Sequence, residues 1–195
     1  MWDFTIWSAC FGAALAHIGL GQIDLKLPRG FCFYHSAQFH AEIRIFLHGV
    51  LERAAKSAIP DEVEVEIVQS QSPLYQPGKV TRKTEGFVTT QELAISPIFV
   101  TFFEQYRQWL NSKIGVRQKW PDIWQFGAVV RNAASHGGII AFDNDKLPPV
   151  KWYILEYGFA DNGRKVINND LSIADLVILM FEMSDTLDKL NCPIL

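Results

Sequence analysis

Arg131, Asn132 and His136 fall within one short stretch near the end of a helical pattern, and Gly137 and Gly138 follow them at once. An imidazole can carry a proton near neutral pH. A guanidinium can hold phosphate oxygens and offset the charge that builds on a pentacovalent phosphorus. An amide can orient either group. Together they suffice to cleave RNA through its own 2′-hydroxyl without a metal, so Arg131, Asn132 and His136 are the candidate catalytic residues. Asn132 and His136 are four apart and share a helix face. Arg131 and His136 are five apart, which separates them by about 140° on an ideal helix. The reach of an arginine, unwinding at the glycines, or a second copy of the chain across a two-fold axis can bring both to one groove.

Weaker substrate-binding candidates lie elsewhere. Lys79, Arg82 and Lys83 form the densest basic cluster and read either as a solvated loop or as a contact to the phosphate backbone. Arg44 and His48 belong to a polar stripe with His40 and Glu52, at steps of four along an expected helix. No acidic pair completes a ligand set for those histidines, so no metal is expected. Cys10, Cys32 and Cys192 are far apart and lack C-x-x-C spacing, which argues against a disulfide framework or zinc ribbon and points to a reducing, cytoplasmic setting. No glycine-rich phosphate loop is present, and no cofactor is expected. A net charge of −3 excludes a nucleic-acid binder that depends on a broad basic surface, but leaves room for a local cluster.

These residues need a scaffold, and the composition supplies one. A hydrophobic share of 49% against 20% charged suits a packed chain rather than a disordered one. Its 195 residues suit a single domain, 1–195, with insertions. The apolar stretch Phe4 to Leu20 holds His17 and follows Asp3, so it reads as a buried helix over 4–19 rather than a signal peptide or membrane span. Phe31–Tyr34 reads as a short strand or a lead into the next helix. Phe39, Ile43, Phe46, Leu47, Val50, Leu51 and Ala54 predict a helix over 36–57, with Ser36 as its N-cap and Pro60 beyond its end. Residues 61–91 read as an inserted excursion, with alternation over Glu64–Val68, turn signals at Pro73 and Pro77-Gly78, and a β-like Phe87–Thr90. A helix is predicted from Ser96-Pro97 to Ser112 with an aromatic core face, and another from Pro121 to the glycines, where Gly127 lets a neighbour come close. A small β flap is expected over 139–168. Ser172 and Asp175 then form a capping box for a buried last helix.

The stretch Val129–Gly138 resembles the HEPN family, whose signature is an arginine, four to six residues, then a histidine, with asparagine often directly after the arginine. Arg29 and His35 fit the loose spacing too, but outside a helical pattern. The resemblance is specific over about ten residues, which carry the motif. It implies an all-α bundle of about four to five helices with small β-hairpin insertions. It also implies a homodimer with the two motifs facing across a cleft, and metal-independent endoribonuclease activity of the sort found in toxins and phage-defence effectors. An antitoxin protein is then an expected partner, although the regulatory tyrosine of one branch is replaced here by Gly138. The alternative expectation is a non-catalytic HEPN-like module that binds a nucleotide or a protein.

Overall fold

The computed structural model describes residues 31–36, 38–39, 41–46, 64–69, 82–142, 145 and 147–193. Among them are three long helices and two antiparallel sheets. Strands β1 (Phe31–His35), β2 (Ala41–Phe46) and β3 (Glu64–Gln69) form a sheet in that order. Helices α1 (Arg82–Lys113) and α2 (Asp122–Ser135) follow, joined through a 3-10 turn at Arg117–Lys119. Strands β4 (Val150–Trp152) and β5 (Leu155–Tyr157) make a hairpin, and α3 (Ile173–Lys189) comes last.

This mixed α and β architecture overturns the expected all-α bundle. The decisive stretch is Ala41–Phe46, predicted helical and found as the central strand of the first sheet. Ile43 and Ile45 are buried while Arg44 between them is not, which is a period of two. The same apolar residues also fit helical spacing, and pairing decides between the two. β2 is flanked on both sides, with Ile43 opposite Tyr34 and Ile67, and Ile45 opposite Cys32 and Val65. Ser36 therefore caps no helix there. The expected helix over 4–19, and the part of the one expected over 36–57 that follows Phe46, lie outside the described residues.

The excursion over 61–91 also differs from expectation. Its alternating segment is a strand, but it belongs to the sheet formed with β1 and β2 rather than to a separate insertion. Phe87–Thr90 is helical, because α1 begins at Arg82 and runs on through Pro97. Proline there removes one backbone donor. The helix continues because Ile95, Phe99, Phe102, Phe103 and Leu110 all enter one core.

That core is aromatic and joins the three helices. Trp124 of α2 lies against Phe102, Phe103 and Tyr106 of α1, with ring centroids 5.9, 5.5 and 6.4 Å apart. Its indole N–H donates to the Met183 carbonyl of α3 at 3.1 Å. Gly127 meets the expectation placed on it: a Cβ there would stand 2.7 Å from Cε of Met183. On the other side of α2, Phe126 packs against Trp152 and Tyr157 of the hairpin at 5.6 and 5.3 Å.

The β flap exists, with boundaries that differ from the expected ones. Trp152–Tyr157 is not one strand, since the chain turns at Tyr153-Ile154. Ile139 pairs with Lys165 in an isolated bridge, and Asn162 accepts from the Phe142 backbone N–H at 2.6 Å. The last helix starts as its sequence specifies, with Ser172 at the N-cap and Asp175 completing the capping box. No helix among the described residues is long and apolar enough to cross a membrane.

Candidate functional site

Helix α2 carries the candidate residues because its inner surface is almost entirely apolar. Phe126, Gly127, Ala128, Val129 and Val130 are buried in succession, so the helix is fixed on most sides before its polar end begins. Ala133 is buried one turn later, while Arg131 and Asn132 are partly exposed and Ser135 and His136 are exposed. His136 is the C-cap, with φ −123° and ψ 41°, and has left the helical conformation. The Gly138 N–H returns to the Ala133 carbonyl at 2.8 Å, the six-residue loop of a Schellman ending, while Gly137 takes φ +65°. The chain then turns inward, and the Gly138 carbonyl accepts from the Val166 N–H at 2.8 Å. The helix end is thus tied to the flap immediately beyond the histidine.

Arg131 and Asn132 are brought into contact. Nη1 of Arg131 donates to Oδ1 of Asn132 at 3.2 Å. Nη2 lies 2.7 Å from Oε1 of Glu104, across from α2 on α1. The ion-pair partner of Arg131 thus comes from a different helix, at a sequence distance that no local pattern marks. Nε of Arg131 is buried and has no hydrogen-bond partner among the described residues. The His136 imidazole makes no hydrogen bond or ion pair among the described residues, neither with Arg131 nor with Asn132 nor with a backbone carbonyl. The arrangement therefore offers one guanidinium held on two sides in the last turns of the helix and one imidazole open to solvent at its C-cap.

The weaker candidates scatter. Arg44 sits on β2, in an ion pair with Glu42 at 2.6 Å and opposite Glu66 in the sheet register. Arg82 and Lys83 open α1 rather than the tip of a loop. Lys79 and His48 lie outside the described residues. Among the described residues no group of three or more His, Cys, Asp or Glu side chains is placed to hold a metal ion.

Three polar groups that the sequence reading did not single out have defined roles in the structure. Glu104 was overlooked because an exposed helix carboxylate has no distinguishing local signal; its position one turn before Arg107 was the only hint. Glu182 accepts from the Trp152 indole at 2.8 Å and from the Tyr153 hydroxyl at 2.6 Å. That bond, followed by burial and the carboxylate charge, pushes the Tyr153 phenol up to about 12. Asp170 accepts from the Tyr157 hydroxyl at 3.2 Å and pairs with Arg164 at 2.8 Å. Burial, then Asp170, drives the Tyr157 phenol far above its ordinary range. Arg164 is raised in turn by Asp170. The first cluster fastens the hairpin to α3, and the second ties the hairpin to the loops on either side of Lys165.

Comparison with known proteins finds no matching family model, no matching curated protein and no matching solved structure.

Proposed function

We propose that the protein is a metal-independent endoribonuclease of HEPN type, working as a homodimer in the cytoplasm, as toxins and phage-defence effectors do. The observation that carries this reading is the end of α2. There the Arg131 guanidinium is held against Asn132, while the His136 imidazole one turn on is exposed and bonded to nothing among the described residues. In the reaction, one His136 takes the proton from a ribose 2′-hydroxyl. The 2′-oxygen bonds to phosphorus, the bond to the 5′-oxygen breaks, and a second, protonated His136 gives its proton to that leaving oxygen. The products are a 2′,3′-cyclic phosphate and a 5′-hydroxyl. Arg131 offsets the charge on the non-bridging oxygens, and Asn132 orients the guanidinium. A second His136 from the partner copy separates the acid from the base role. An antitoxin protein that covers this end of α2 follows from the toxin reading.

The test is incubation of purified protein with mixed RNA in EDTA, followed by analysis of the new ends. Cleavage leaving cyclic phosphates, and its loss in His136→Ala with the dimer intact, is the expected result. Cleavage that needs a divalent metal, or that survives His136→Ala, counts against the mechanism.

A second reading has one observation in its favour. The ion pair with Glu104 offsets the Arg131 charge within the protomer, which suits a module that binds a nucleotide or protein without cleaving. RNA or nucleotide that is retained intact in EDTA by the wild-type protein supports this one.

A further inference from the structure

The guanidinium of Arg131 is gripped from two helices, and the far grip is itself braced. Glu104 reaches Arg131 from α1 at 2.7 Å. Both of its oxygens also accept from Nη1 of Arg107, one turn along the same helix, at 3.1 and 3.2 Å. The result is a chain of side chains, Arg107 to Glu104 to Arg131 to Asn132, that crosses from α1 to the motif on α2.

We propose that Glu104 is a positioning residue for Arg131 in RNA cleavage, a role that rests on the ribonuclease reading above. Stability alone does not account for the contact. The two side chains are 26% and 36% exposed, and ion pairs of that kind add little to folding. The Arg131 Nε–H is buried without an acceptor among the described residues, and a donor left in that state works against folding. The guanidinium is therefore held where its own hydrogen bonding is incomplete, and Glu104 is what holds it there from α1.

Charge balance favours aiming over blocking. One carboxylate stands between two guanidiniums, so the chain keeps a net positive charge beside the motif. An arginine has five N–H donors, and Arg131 has only Glu104 and Asn132 as side-chain partners among the described residues. Donors remain for a phosphate. A carboxylate pinned by Arg107 is also a fixed abutment rather than a loose plug. Fixing the guanidinium matters because small displacements of a charge-stabilising group weaken the transition state more than the ground state.

The experiment measures kcat and KM for RNA cleavage in EDTA, with thermal unfolding alongside, for wild type, Glu104→Ala and Glu104→Gln. Glu104→Ala is expected to lower kcat about tenfold to a hundredfold, with KM within about twofold and the unfolding midpoint unmoved. Glu104→Gln keeps an acceptor oxygen toward Arg131 and is expected to recover part of the rate. In an Arg131→Ala background, Glu104→Ala is expected to add no further loss, since the two act as one unit. A Glu104→Ala enzyme that cleaves as fast as wild type, or faster, overturns the positioning role and leaves the ribonuclease reading standing. So does a change confined to KM. Wild-type protein that leaves RNA intact overturns both together.

Discussion

The C-terminal end of α2 and the N-terminal end of α3 both gather polar side chains at a helix terminus, and they are finished in opposite ways. At α3, Asp175 is fully buried. It accepts from the Ser172 N–H at 2.8 Å, from the Ser172 hydroxyl at 2.6 Å and from the Ser36 hydroxyl. Ser36 in turn accepts from the backbone N–H groups of Gln38 and Phe39 at 3.0 and 2.8 Å. The Ser36 and Ser172 hydroxyls and the Asp175 carboxylate pair with one another inside the protein, and the set sews the end of β1 to α3. At α2, the imidazole is exposed and one guanidinium N–H is buried without an acceptor among the described residues. A terminus whose hydrogen bonds close on themselves serves the fold. One whose donors stay open has hydrogen-bonding capacity left over.

The largest effect that separates the two ends is on chemistry. His136→Ala is expected to lower RNA cleavage by about 10² to 10⁴, the usual weight of a general acid–base group. Its stability is expected to stay within about 0.5 kcal/mol of wild type, since the side chain is exposed and unbonded. Rate and urea midpoint, measured on the same preparation, check both halves. A midpoint that drops sharply would make the α2 end a structural element after all.

Asp175→Ala is expected to do the reverse. Removing the carboxyl leaves two hydroxyls and a backbone N–H without their acceptor and undoes the capping box. The loss is about 2–4 kcal/mol of stability, read from urea unfolding, with cleavage per folded molecule unchanged. Stability close to wild type would erase the contrast between a closed and an open terminus.

How much of this was legible in the sequence follows the same division. Local signals survived: Ser172 with Asp175 marks the start of α3, and Gly137-Gly138 marks the end of α2. The aromatic stripe of α1 was legible as core because its spacing holds over several turns. Ala41–Phe46 was not, because six residues with two isoleucines fit either period, and only the flanking strands choose between them. Ser36 shows the cost of that error. Read as the cap of a helix, it is instead the partner of a carboxyl 139 positions away. In the same way the sequence named Arg131 but not the residue that holds it, since Glu104 reaches it across helices that only the fold brings together.

A smaller effect tests how sharply the open end is set. Gly137 has φ +65°, and a Cβ there would meet nothing within 4 Å. Gly137→Ala therefore clashes with no neighbour and loses only what a left-handed residue costs without glycine, about 1 kcal/mol. The substitution also relaxes the cap beside His136, so cleavage is expected to fall more than stability does. Equal small losses at both readouts would mean that the histidine does not depend on how the helix ends.

The smallest effect lies at the hairpin, where a single hydrogen bond reports on pH. Tyr153 has φ +51°, an unusual conformation for a bulky residue, and its hydroxyl donates to Glu182. The bond, with burial and the carboxylate charge adding to it, raises the phenol from 10.0 to about 12. The folded protein therefore holds this proton more tightly than the unfolded chain does. The contribution to stability is complete below the unfolded value of 10.0 and is lost as pH rises toward about 12. Tyr153→Phe removes it at every pH. The stability difference between the two proteins is expected to be constant through neutral pH and to shrink above about pH 10. Tyr157 titrates in both and cancels from the difference. A gap of unchanged size in strong alkali would show that Glu182 holds the hairpin through the Trp152 indole alone.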